Sequence, residues 1–249
     1  MRENLVSENI NETIEEFLKE NKINITGGKV VSFEQLSSIL NNLALNDLNK
    51  GKIEKAMYFI NEAIKFNKEN HYALFIKGLI FREIHKYNES IEAFKEYYNK
   101  ANDNLVFVYI GFSYAELNDT EEALSYLKKA EKEFSEDEKN KYSDLMSTVY
   151  ECIGNIYMTK ENILEFNEED KLNFNYKVAI KYFKMSLKIN KNNHMLLNKL
   201  AACYYHVEDI NKALYCYEEA AKVAEDNTPY LEAIEEMKEM GATSETIEF

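Results

Sequence analysis

Four histidines and three cysteines are the side chains of this 249-residue sequence best suited to metal or nucleophilic chemistry. His71, His85, His194 and His206 are scattered, and only His206 has a thiol, Cys203, one helical turn away. Zinc sites take three or four protein ligands, so this pair falls short and no metal is expected. Cys152, Cys203 and Cys216 form no CxxC pair and are odd in number, which fits reduced, buried thiols better than a disulfide framework. Neighbouring glutamates such as Glu15-Glu16 and Glu235-Glu236 could act as acid and base only inside a pocket; on a helix they read as a solvated face. The sequence has no phosphate-cradling loop and no HExxH, GxSxG or GxGxxG pattern. These residues predict neither an enzyme nor a cofactor.

The elements that would position such side chains are helices. Seven glycines and one proline leave few forced breaks in an otherwise ordinary composition, 45% apolar. The formal net charge is -14, from 30 basic and 44 acidic residues, so the summed field repels phosphate backbones and anionic lipid. Nucleic acid and membrane surfaces are therefore excluded as expected partners, and a basic partner is favoured, although acidity also serves solubility alone. The first residues, MRENLVSENI, lack a signal-type apolar core, and the stretch from Val106 to Ala115 is too short to span a bilayer. A cytoplasmic location is the expectation.

Small residues recur in matched trios: Ala44, Ala56, Ala63; Gly78, Ser90 and a bulky exception, Tyr97; Gly111, Ala123, Ala130; and Ala201, Ala213, Ala220. In each trio the first two members lie 12 residues apart and the last two 7 apart. A further trio, Gly154, Ala179, Ser186, keeps the 7 but stretches the 12 to 25, which implies an insertion of 13 residues. Antiparallel helices approach closely only where side chains are small. Phe107, Ile110, Gly111 and Tyr114 fall on one face of a first helix, and Ala123, Leu127 and Ala130 on one face of a second. Each period is a helical hairpin.

On these residues the chain resembles the tetratricopeptide repeat family, whose 34-residue unit carries this pattern of large, small and aromatic positions. The resemblance covers about three quarters of the chain and implies an all-α, right-handed α-solenoid. Its repeats would be 37–70, 71–103, 104–137, 147–193 with the insertion, and 194–227. The proline usual near the end of a unit is replaced by Lys68, Lys191 and Glu225, and Tyr97 predicts wider packing after the second repeat.

Residues 1–36 predict an extra N-terminal helix and a connector. Asn9-Ile-Asn-Glu12 reads as a capping box, Ile10, Ile14, Phe17 and Leu18 form a stripe, and Gly27-Gly28 ends the connector. Ser32-Phe-Glu-Gln35 then caps the first helix of the first repeat. In residues 228–249, Pro229 fits a first helical turn, and Tyr230, Ile234 and Met237 supply the apolar face of a capping helix. The polar stretch from Ala242 onward is expected to fray. The spacer 138–146 and the insertion 158–172 are read either as longer helices or, for 161–171, as an exposed acidic loop.

The resemblance implies recognition along the first helix of each hairpin, on a concave face. The corresponding residues are Asn41, Leu45, Phe75, Leu79, Arg82, Val108, Phe112, Glu151, Asn155, Asn198, Ala202 and Tyr205. The first half of this set is apolar and the second polar. Such a groove suits an apolar or amphipathic protein segment, with Asn155 and Asn198 hydrogen-bonding its backbone. The alternative is that these side chains meet one another or the N-terminal helix. Asn41 with Leu45, and Phe75 with Leu79, stand where family members that clamp a C-terminal carboxylate carry Lys and Asn, so no such clamp is expected. The function predicted is a protein-binding scaffold or adaptor. A peptide receptor that changes curvature and a self-assembling homo-oligomer stand as alternatives.

Overall fold

Local capping chemistry sets the helix starts. Gln35 N donates to Ser32 Oγ at 3.2 Å and Ser32 N donates to Gln35 Oε1 at 3.0 Å, the reciprocal box expected there. In the computed structural model, which describes residues 32–159 and 168–249, this box opens α1, Phe33–Asn49. Hairpin partners follow: α2, Ile53–Phe66; α3, His71–Glu83, with α4, Tyr87–Ala101; and α5, Val106–Glu116, with α6, Thr120–Glu133. A short α7, Glu136–Lys141, precedes α8, Ser143–Thr159, and α9, Glu168–Ile189. The chain continues through α10, His194–His206, α11, Ile210–Val223, and α12, Thr228–Glu239. Asn70, Asp119, Asn193 and Asp209 cap α3, α6, α10 and α11 by accepting a backbone N–H on a side-chain oxygen. Among the described residues no helix is long and apolar enough to cross a membrane.

The turn inside four hairpins has one backbone signature. Gly51, His85, Asn118 and Glu208 all adopt positive φ, at 69°, 58°, 58° and 62°. Glycine does this freely, whereas a residue with a Cβ loses roughly 1–2 kcal/mol there. That His85 and Glu208 accept it shows that packing of the flanking helices, not turn propensity, fixes the reversal.

The chain divides into two compact units, Met1–Ser113 and Tyr114–Phe249. In unit 1 the core joins Leu40 and Ala44 of α1, Ala56, Ile60 and Ala63 of α2, and Ala73, Ile76 and Ile80 of α3. Ser90 Oγ donates to the Gly78 carbonyl at 2.9 Å, so two members of one small-residue trio meet where α3 and α4 approach. In unit 2, Ser186 Oγ donates to the Ser147 carbonyl at 2.9 Å between α9 and α8. The last hairpin buries Leu200, Ala201, Ala213 and Ala220, and Tyr230, Ile234 and Met237 of α12 close that core. Pro229 occupies the first turn of α12, as its fixed φ favours.

Several expectations need revision. Of the two readings of the insertion, the longer helix holds where the chain is described: α9 spans 22 residues and includes 168–171, so an exposed loop over all of 161–171 is excluded. Residues 160–167, and the N-terminal helix and connector expected within 1–31, lie outside the described residues. The stretch from Ala242 onward does not fray, because Ala242 and Ile247 are buried in the core of unit 2. Tyr97 is buried, with its ring 5.3 Å from that of Phe75 and its hydroxyl donating to Asp103 Oδ2 at 2.8 Å.

Candidate functional site

In unit 1 most of the expected apolar groove is core. Phe75 is 6% exposed, and its ring lies 5.6 Å from Phe94, 5.3 Å from Tyr97 and 5.2 Å from Tyr109. Val108 is fully buried and Phe112 nearly so. The placement of Phe75, Val108 and Phe112 on an open surface is therefore corrected. Fully burying an apolar side chain of this size is worth about 1.5–3 kcal/mol, so large apolar groups at these positions are drawn into interhelical packing. Asn41 is also corrected. It is buried and exchanges hydrogen bonds of 3.1 Å with Asn70, each amide nitrogen donating to the other's Oδ1.

What unit 1 leaves accessible is smaller and more polar. Leu45, Leu79 and Arg82 are partly exposed, and Tyr72, which the sequence pattern did not single out, is exposed. The Arg82 guanidinium sits over the Phe112 ring at 5.4 Å, and its buried Nε has no hydrogen-bond partner among the described residues.

In unit 2 the first helices α8 and α10 present the polar half. Glu151 Oε1 lies 2.8 Å from Lys199 Nζ, linking the two helices. Both members of the pair are partly exposed, so the link is worth less than about 1 kcal/mol. Lys199 was missed by sequence reasoning, which followed one position per hairpin and did not ask which cation could face Glu151. Asn198 is exposed, Ala202 is partly buried, and Tyr205 is 41% exposed. Asn155 is half-buried, and among the described residues no hydrogen-bond donor meets its buried Oδ1. A desolvated acceptor left unpaired costs about 1–3 kcal/mol, which a ligand N–H would recover. Glu151, Asn155, Asn198 and Tyr205 can thus offer hydrogen bonds and aromatic contact. His206 stacks on Tyr176 at 4.3 Å, while Cys203 is fully buried.

The thiols behave as core groups. Burial pushes Cys203 up to about 12 and raises Cys216 further above the ordinary thiol range, with Glu219 adding to the effect. The thiolate is the reactive form. Iodoacetamide at pH 8 is therefore expected to modify the native chain once, at the half-buried Cys152, as counted by intact mass. A second adduct before unfolding would contradict the burial of Cys203 and Cys216.

Burial also raises four tyrosines of the unit 2 interior, Tyr150, Tyr182, Tyr204 and Tyr217. Tyr182 and Tyr150 are held above the ordinary 10.0 by burial and by Glu131, and Tyr204 and Tyr217 chiefly by burial. The unfolded chain releases these protons first, so their contribution is complete below pH 10 and declines as pH climbs toward the raised folded values. Urea unfolding between pH 9 and pH 11.5 should show a steady fall in stability; a flat profile would contradict the shifts.

No family model matches the sequence, and no curated protein matches it. Solved structures do. The pilF protein of Pseudomonas aeruginosa is 18% identical, with 84% of this chain and 86% of that one covered, at a TM-score of 0.64. YrrB, described as a TPR protein with an unusual peptide-binding site, is 16% identical, covering 89% of this chain and 97% of its own, at 0.58. A MamA structure is 15% identical, covering 79% and 96%, at 0.57. At these identities the likeness is one of fold. Helical hairpins repeated in register, small residues at the helix crossings and these structural counterparts agree: the chain has the all-α solenoid fold of the tetratricopeptide repeat proteins.

Proposed function

We propose that this protein is a non-catalytic cytoplasmic scaffold that holds an extended segment of another protein against the first-helix face of unit 2. The observation that carries this reading is the buried Oδ1 of Asn155 on α8, an acceptor that no donor meets among the described residues and that suits a backbone N–H. The exposed Asn198 and Tyr205 on α10 extend the same kind of surface. The formal charge of -14 favours a segment with basic residues. In unit 1, Leu45, Leu79 and Arg82 offer a smaller, mixed surface in place of the apolar groove expected from the sequence. The repeat fold supports a protein partner, and the full burial of Cys203 and Cys216 in the core of unit 2 fits thiols kept reduced.

The test is affinity capture from native cells with the full chain and with an Asn155→Ala/Asn198→Ala/Tyr205→Ala variant, after matching their circular dichroism and melting. Proteins retained by the parent chain should be depleted at least tenfold by the variant. Equal retention would remove this face from the binding site.

A further inference from the structure

The residues after α12 form a built contact. Gly241, at φ 88°, turns the chain at the end of α12, and Ala242 N donates to the Met237 carbonyl at 3.0 Å. The following residues reach the start of α11. Thr243 N donates to Asn211 Oδ1 at 2.9 Å, and Glu245 N donates to the Asn211 carbonyl at 3.3 Å. One asparagine therefore receives two amides that are two residues apart. The Glu245 carboxylate lies 3.7 Å from Lys212 Nζ, which also contacts Asp209 Oδ2 at 2.7 Å. Ile247 is 6% exposed, and Phe249 packs partly buried against the same core cluster.

Glu245, Ile247 and Phe249 are spaced by two, the interval at which an extended chain turns side chains to one face. Thr246 and Glu248 between them are exposed. Main-chain hydrogen bonds with alternate side chains in place are how extended peptides are recognised on a fixed edge. The ionic part of this anchoring is weak. The Lys212–Glu245 pair is 31% and 56% exposed, which makes it a weak tether.

We propose that this face of unit 2, built on Asn211, Lys212 and the apolar core beside them, is a docking surface for an extended partner segment. Its chemistry is that of residues 242–249: a carboxylate, an aliphatic residue two positions later and an aromatic two positions after that. The chain's own segment holds the surface in cis, at an effective concentration on the order of millimolar. A partner competes by matching the pattern Glu-x-Ile-x-Phe and adding contacts of its own. The proposal uses none of Asn155, Asn198 and Tyr205, so it stands or falls separately from the first-helix face.

The probe is a fluorescent peptide with the sequence of residues 240–249, titrated by anisotropy into the full chain and into full-chain Ile247→Glu, in which the segment is released. The variant should bind the peptide and the parent chain should not at micromolar concentrations. Adding Asn211→Ala to the variant should weaken binding about fivefold or more, as loss of one hydrogen bond implies. A peptide carrying Glu in place of its isoleucine should fail. If Ile247→Glu lowers helical content, Phe249→Ser at the partly buried position replaces it. No binding to either released variant would overturn the proposal, as would equal binding to variant and parent. A concentration-dependent dimer of the parent chain, abolished by Ile247→Glu, would overturn the assignment to a partner by showing that a second copy's segment is the occupant.

Discussion

Replacing Phe183 by alanine should lower the unfolding free energy by about 3–5 kcal/mol, the largest single loss expected in the chain. Phe183 is fully buried on α9, and its ring occupies the space that a side chain on Gly154 of α8 would need. A Cβ at Gly154 would stand 2.5 Å from Phe183 Cδ1, closer than carbon atoms pack. Truncating the ring leaves a cavity that α8 and α9 can close only by moving toward one another. Filling the glycine instead, by Gly154→Ala, should cost about 1–3 kcal/mol through overpacking. Gly154→Ala/Phe183→Leu should lose less than the sum of its single changes, by about 0.5–3 kcal/mol, because the smaller side chain vacates what the methyl needs. Urea unfolding followed by helical circular dichroism measures the parent, Phe183→Ala, and the three chains that complete the cycle: Gly154→Ala, Phe183→Leu and their combination. A loss for Phe183→Ala under about 1 kcal/mol, or strict additivity in the cycle, would show that this contact does not set the α8–α9 spacing.

Asn70→Ala should be the most damaging polar substitution, costing about 2–4 kcal/mol from a lost helix cap together with buried groups left unpaired. Asn70 Oδ1 accepts from Ala73 N at 3.2 Å at the start of α3, and its Nδ2 donates to Ser37 Oγ at 2.6 Å and to Asn41 Oδ1 at 3.1 Å. Ser37 Oγ in turn donates to the Ala63 carbonyl at 2.7 Å. One side chain thus ties α1, α2 and α3 together. Asn70→Asp keeps the cap but loses both donors, so its cost should fall between that of alanine and zero. Asn41→Ala should act in the same direction, on melting temperature and not on partner capture. A native melting temperature for Asn70→Ala would refute the network's structural weight.

The repeat was legible because its signal is a distance. Helices cross where side chains are small, and Ala44, Ala56 and Ala63 record that constraint at fixed intervals. Capping was legible for a related reason: Ser32 with Gln35, and Pro229, act within one turn. The candidate site was harder to read, since the same helical position can face solvent or core depending on residues far along the chain. Phe75 is buried because Tyr97 and Tyr109 close around it. Asn41 is structural because its partner, Asn70, comes 29 residues later. Residues 242–249 look like a polar end by composition, and only the start of α11 shows that Ile247 has somewhere to go.

The positive φ shared by Gly51, His85, Asn118 and Glu208 also has a mechanical consequence. Hairpins that reverse through the same backbone geometry are equivalent links, and within a unit each is coupled to its neighbour through a shared core such as that of α1, α2 and α3. A link of ordinary length would release roughly 100–120 Å of slack, and the α8–α9 link, with its longer second helix, about 160 Å. Under tension the molecule would behave as an extensible tether with one long stroke among shorter ones.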